Sequence, residues 1–210
     1  MLYCAAGEFL GIGIAALIAW LAFQLIGEPQ TLSEKLLTLA LMIIAGALEG
    51  LILGYMQWRV LRKAVHALPA RQWISVTTIV AMLAWSMGML PSLFYSDINE
   101  PLNSPYEQTR MMLLAVLISG LFLGALFGLF QFIVLRNYLN QALSWIFANS
   151  LAWAIAIGWI FLSASLPSEN TSVWTIVLLG IGGGMLAGLT MGWITGYFLC
   201  RILRKNLMLL

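Results

Sequence analysis

Residues 46–62 read GALEGLILGYMQWRVLR, a stretch in which Gly46, Gly50 and Gly54 stand four apart and Arg62 closes the run. The spacing returns in residues 120–136, GLFLGALFGLFQFIVLR, with Gly120, Gly124, Gly128 and Arg136. It returns again in residues 188–204, GLTMGWITGYFLCRILR, with Gly188, Gly192, Gly196 and Arg204. Residues four apart share one face of an α-helix, so each copy is a helix with a glycine groove along one side and a basic end. One module has been used three times.

The solvent of that helix follows from composition. Hydrophobic residues make up 62% of the chain and charged residues 9%, too little polar surface to cover a soluble domain. The lipid bilayer is the expected surrounding medium. Six apolar runs, at about 9–27, 36–58, 73–95, 111–135, 143–166 and 173–200, approach or exceed the roughly 20 helical residues that cross a hydrocarbon core. They are apolar on every side, whereas a spanning strand alternates polar and apolar residues, so helices are predicted and a barrel is not. The expected fold is all-α: one transmembrane domain over 1–210, built from three tandem two-helix hairpins at roughly 1–65, 66–140 and 141–210. Tandem copies of one orientation imply a pseudo-threefold arrangement about an axis along the membrane normal.

Charge sets the expected orientation, because cytoplasmic loops retain Lys and Arg. Arg59, Arg62, Lys63, Arg71, Arg136, Arg201, Arg204 and Lys205 fall on one side of the six spans. Only Lys35 and Arg110 fall on the other, with Glu28, Glu34, Asp97, Glu100, Glu107 and Glu169. Cytoplasmic N- and C-termini in the cell (inner) membrane are the reading. Arg59, Arg62, Lys63, Arg136, Arg201, Arg204 and Lys205 are expected to meet anionic lipid headgroups.

The odd-numbered helices carry a second marker, Ala19-Trp20, Ala84-Trp85 and Ala152-Trp153. Trp85 precedes Arg136 by the same distance as Trp153 precedes Arg204, which suggests that these tryptophans are equivalent. Helical rise of about 1.5 Å per residue places Trp20, Trp85 and Trp153 at the depth of the middle glycines Gly50, Gly124 and Gly192. An indole seated in each glycine notch is the expected packing. Proline predicts an end to the third helix at Pro91, and Gly27-Glu28-Pro29 an end to the first.

The second and fourth helices close with Gln57-Trp58-Arg59-Val60-Leu61-Arg62 and Gln131-Phe132-Ile133-Val134-Leu135-Arg136. These segments resemble the Gln-x-x-Val-Leu-Arg hairpin repeats of a group of uncharacterised bacterial multipass membrane proteins, a resemblance that covers most of the chain and brings no activity with it. The third copy has Leu199 where the others have glutamine. Gln57 and Gln131 are expected to satisfy freed backbone or headgroup atoms, and Asn149 is a further intramembrane candidate, one turn before Trp153.

Glu49 is the one charged residue deep in a span, 13 residues and so roughly 20 Å from Arg62. An ion at that depth costs about 2.5–3.5 kcal/mol even on the lenient insertion scale. The other two copies hold Leu123 and Met191 at this position, so the module does not require an acid. Two readings remain: a neutral carboxyl bonded to a backbone carbonyl or to the indole of Trp20 or Trp85, or a group that binds and releases a proton or cation.

No nucleophile and base share a plausible helical spacing, and no second histidine joins His66, so no catalytic, metal or cofactor residues are predicted and the chain is not read as an enzyme. Nucleic acid is not an expected partner. The functional classes left are a scaffold or accessory subunit that binds other membrane proteins, which is favoured at this stage, and a small proton, cation or solute transporter or channel using Glu49. Reporter fusions test the orientation: a reporter after Leu210 should read as cytoplasmic and one between Glu34 and Lys35 as external. An external C-terminus would overturn the reading from charge.

Overall fold

The computed structural model describes residues 2–94, 105–168 and 171–207. Six helices follow in order: α1 Leu2–Ile26, α2 Leu32–Leu61, α3 Ala70–Phe94, α4 Pro105–Leu135, α5 Ser144–Ser165 and α6 Val173–Leu207. All six are long and apolar enough to cross a membrane, which makes this a multipass membrane protein. Asp97, Glu100 and Glu169 lie outside the described residues, as do the side chains of Cys4 and Glu8.

Local chemistry explains the boundaries. Gly27 has φ +73, the left-handed conformation that ends a helix at little cost only for glycine. Thr31 and Glu34 form a capping box, in which Thr31 Oγ1 accepts from the Glu34 amide and the Glu34 carboxylate accepts from the Thr31 amide. That box starts α2 earlier than its apolar run does. Pro91 lies inside α3 and does not end it; a proline costs one backbone bond, which membrane helices tolerate where neighbouring groups compensate. At about 1.5 Å per residue, the 30 residues of α2 and 35 of α6 exceed the roughly 30 Å of hydrocarbon, so these helices tilt or project beyond it.

Each helix packs on its neighbours in sequence, and α6 closes back on α1, giving a ring of six in chain order. Antiparallel pairing brings the α2–α3 and α4–α5 turns and the end of α6 to one end, hereafter the basic end. There Asn206 Oδ1 accepts from the Asn140 amide at 2.8 Å and Asn206 Nδ2 donates to the Asn140 carbonyl at 3.0 Å, which ties α6 to the α4–α5 turn. Arg62 lies 4.8 Å from the Trp58 ring and Arg136 5.9 Å from Phe132, cation–π contacts of matching position.

The glycine faces of α2 and α4 meet backbone. A Cβ on Gly50 would lie 2.7 Å from Thr78 Cα, and one on Gly124 would lie 2.5 Å from Ser150 Cα and overlap the Asn149 carbonyl. Gly54 faces Ile74 Cα and Gly128 faces Ile146 Cα; Gly46 faces the Ala81 carbonyl and Gly120 the Trp153 carbonyl. The two interfaces therefore share these backbone contacts, which align the α2–α3 pair with the α4–α5 pair. Residues 74, 78 and 81 of α3 correspond to 146, 150 and 153 of α5, so Trp73 is the counterpart of Trp145 and Trp85 that of Ile157.

This corrects the register expected from the Ala-Trp pairs, which is wrong by one helical turn. Backbone approach, not the indole, decides which residues face the glycines, and the pairs at 84–85 and 152–153 coincide only in spacing. The Trp85 indole lies on Gly46 and not on Gly50, Trp153 meets Gly120 through its backbone, and Trp20 is 56% exposed. The third groove also departs from expectation: Gly188 and Gly192 are buried, but nothing lies within 4 Å of a Cβ on Gly196. Accordingly, Gly124→Ala should destabilise by about 1–3 kcal/mol through overpacking. Gly196→Ala, where only helix propensity changes, should be neutral or stabilise by up to about 1 kcal/mol. Thermal unfolding in one detergent measures both, and equal effects would overturn the groove assignment.

Candidate functional site

The ring is filled unevenly along its axis. At the basic end Leu61, Val65, Trp73, Leu135, Leu139, Trp145 and Ile202 form one buried cluster. Further along lie Leu53, Val80, Phe127, Trp153 and Met191, and beyond these the small cluster of Ala15, Met42 and Ala45. Polar side chains mark the two boundaries between these layers.

The first boundary is an amide cluster around Gln131, which is fully buried. Its Nε2 donates to Gln57 Oε1 at 2.8 Å and to Thr77 Oγ1 at 3.1 Å, while its Oε1 accepts from Trp145 Nε1 at 2.9 Å. Thr77 in turn donates to the Trp73 carbonyl and Asn149 to the Trp145 carbonyl, both at 2.9 Å, another pair of counterparts in the repeat. Gln57 and Gln131 thus bond to each other, and Gln131 spends its remaining groups on Thr77 and Trp145 and not on freed backbone. The apolar surroundings leave an amide with no better partner than another amide.

The repeat register also explains an irregularity here. The counterpart of the Trp145–Gln131 bond would run from Trp73 Nε1 to Gln57 Oε1. That oxygen already accepts from Gln131, and Trp73 Nε1 is buried without a partner. In the third copy the position is Leu199, which packs in the apolar cluster. The result is a floor of two amides, Gln57 and Gln131, under the site above it.

The second boundary holds Glu49, 6% exposed. Trp85 Nε1 donates to Glu49 Oε2 at 2.8 Å, and Gly11 of α1 admits the acid, since a Cβ at that glycine would lie 2.7 Å from Glu49 Cγ. Of the two indoles considered from sequence, the structure selects Trp85. Glu49 and Trp85 open onto a cavity of about 280 Å³ that is also walled by Gly88, Leu123, Phe127, Trp153 and Ile157. Glu49 is the one ionisable residue among those lining it. Trp153 stacks on Phe127 with ring centroids 4.6 Å apart, and its Nε1 is buried without a hydrogen-bond partner. A cavity this small suits a ligand below drug size.

Sequence reasoning found Glu49, Gln57, Gln131 and Asn149 but missed Thr77 and Trp145. The signal for both lay in Trp73-Ile74 followed by Thr77-Thr78, and Trp145-Ile146 followed by Asn149-Ser150, the same pattern of residue types at one spacing. Among the described residues, no group of three or more His, Cys, Asp or Glu side chains could hold a metal ion. Trp145→Phe should destabilise by about 1–3 kcal/mol more than Trp73→Phe, because only the former leaves the buried Gln131 carbonyl oxygen without a donor. Equal losses in thermal unfolding would show that the indole bond contributes nothing. No family model matches the chain, and no curated protein and no solved structure is significantly similar to it, so its function is argued from these contacts.

Proposed function

We propose that the protein is a small membrane transporter whose working site is the Glu49 cavity. One observation carries this reading. Glu49 and Trp85 face the cavity from the α2–α3 interface, and their counterparts in the α4–α5 interface, Leu123 and Ile157, face the same cavity. An apolar pair therefore suffices for packing at this place in the module. A carboxyl built into hydrocarbon at a cost of kilocalories, where the fold accepts leucine, is a functional device by default.

The amide floor supports the same reading, since it and the Phe127–Trp153 stack fill the ring between the cavity and the basic end. A site lined on one side and plugged on the other is what a carrier needs to bind from one face at a time. In this proposal the three hairpins surround an axis along the membrane normal, the basic end faces the cytoplasm, and Arg201, Arg204 and Lys205 rest against anionic headgroups. The two matching glycine interfaces support the repeat arrangement, and the gathering of basic residues supports the orientation.

A scaffold that binds other membrane proteins is the second reading. It is favoured by Gly13 and Gly196, whose open space leaves notches that a foreign helix could enter. Glu49 separates the two. Dicyclohexylcarbodiimide, which attacks protonated carboxyls in apolar surroundings, should label the wild-type protein and not Glu49→Gln. In proteoliposomes, proton or cation flux driven by an imposed gradient should fall to the level of empty vesicles in Glu49→Gln. Unchanged flux in the variant would remove the transport reading and leave the scaffold.

A further inference from the structure

The Glu49 cavity is not the only space inside the ring. A second one, of about 290 Å³, is walled by Ser163 and Ala164 of α5, by Pro167 just beyond it and by Ile176, Gly180 and Gly184 of α6, and it shares Ile12 and Ile160 with the Glu49 cavity. Two spaces with two lining residues in common are neighbours. On α5 the lining runs from Trp153 and Ile157 through Ile160 to Ala164, steps of three or four that keep to one helix face, with Pro167 just past the helix end. This face reaches the end of the ring opposite the basic end, where α5 turns into α6. Glycine supplies the room, since nothing lies within 4 Å of a Cβ on Gly180 and only Ile12 Cδ1, at 3.8 Å, near one on Gly184.

The chemistry of what would travel this path is set by what waits at its end. Glu49 spends one oxygen on Trp85. Trp153 offers its ring to the wall, stacked on Phe127, while its indole N–H is buried away from the cavity. The remaining wall is hydrocarbon and aromatic. A complementary ligand has a positively charged nitrogen for the carboxylate and an apolar body for the aromatic wall, where a cation also gains from the ring faces.

Resting on the transport reading of the Glu49 cavity, we propose that its substrate class is a small amphiphilic amine, which reaches Glu49 from the end opposite the basic loops through the cleft between α5 and α6, past a constriction formed by Ile12 and Ile160. The ammonium takes the place of the proton that Glu49 carries in the empty cavity, that proton leaves to solvent, and the bound pair is ammonium and carboxylate.

Calorimetry on the purified full chain in detergent, with protein-free micelles as blank, tests the class with 2-phenoxyethylamine and its neutral analogue 2-phenoxyethanol. The amine should bind, and its affinity should fall at least about tenfold in Glu49→Gln, the scale of a lost charge-assisted hydrogen bond. The neutral analogue should bind the wild type at least about tenfold more weakly than the amine does, and should be indifferent to Glu49→Gln. The path is tested by stopped-flow tryptophan fluorescence: Gly180→Phe should slow association about tenfold with equilibrium affinity preserved, while the exposed Gly13→Phe should leave both unchanged. Equal binding of amine and alcohol, or an amine affinity untouched by Glu49→Gln, overturns the amine class. Unaltered association in Gly180→Phe overturns the path. If neither probe binds while carbodiimide still labels Glu49 and flux still depends on it, this proposal fails and the transport reading stands; if labelling and flux fail as well, both fall.

Discussion

Backbone contact between helices without side chains in the way is the interaction on which this fold depends. Lipid tails are as apolar as the helix surfaces, so burial of hydrocarbon gives little reason for helices to leave lipid for one another. Dispersion falls steeply with distance, and only close approach makes protein contact better than lipid contact. Gly50 against Thr78 and Gly124 against Ser150 achieve that approach, and each fixes the sliding register of two helices within a residue. Everything further inside the ring, including which indole meets Glu49, follows from that register.

Where the glycine grooves are absent, a different interaction takes over. The seam between α3 and α4 is the thinnest in the ring, and across it Gln131 reaches Thr77 on α3 and Gln57 on α2. A hydrogen bond with no water to compete for its partners is hard to replace, so a single amide can hold a seam that few backbone atoms cross. The repeat sets the limits of this device. Trp73 and Trp145 make matching contacts, yet Trp145 finds an acceptor and Trp73 does not, because Gln57 Oε1 already accepts from Gln131.

The same breaking of equivalence shapes the site. Trp153 stands where its counterpart is Ala81, and Trp85 stands where its counterpart is Ile157. One interface therefore pushes a large ring inward against Phe127, while the other holds its ring back over Gly46 and gives its N–H to Glu49. Small residues left facing the interior, Ala81, Ala84 and Gly88, keep the volume between them open. The cavity is thus a consequence of substituting into a repeated frame, with the acid placed where the frame provided space.

Hydropathy, glycine spacing and charge belong to single segments, and they suffice to determine from sequence that six helices cross a membrane, that α2 and α4 present a packing groove, and that Glu49 stands deep in an apolar span. The start of α2 was equally legible in Thr31-Leu32-Ser33-Glu34, a local hydrogen-bond pattern that an apolar run alone does not reveal. What a segment does not contain is its offset against the next one. The Ala-Trp pairs gave one offset, and the backbone contacts gave another, a turn away, because packing energy is decided by which Cα atoms can approach and not by which residue names recur. Only the tertiary structure could therefore decide that Trp85 and not Trp20 meets Glu49, that Gln57 and Gln131 meet each other, and that the acid faces a cavity. Each of these is a contact between helices, and a shift of one turn, about 5.4 Å, would have replaced every one of them.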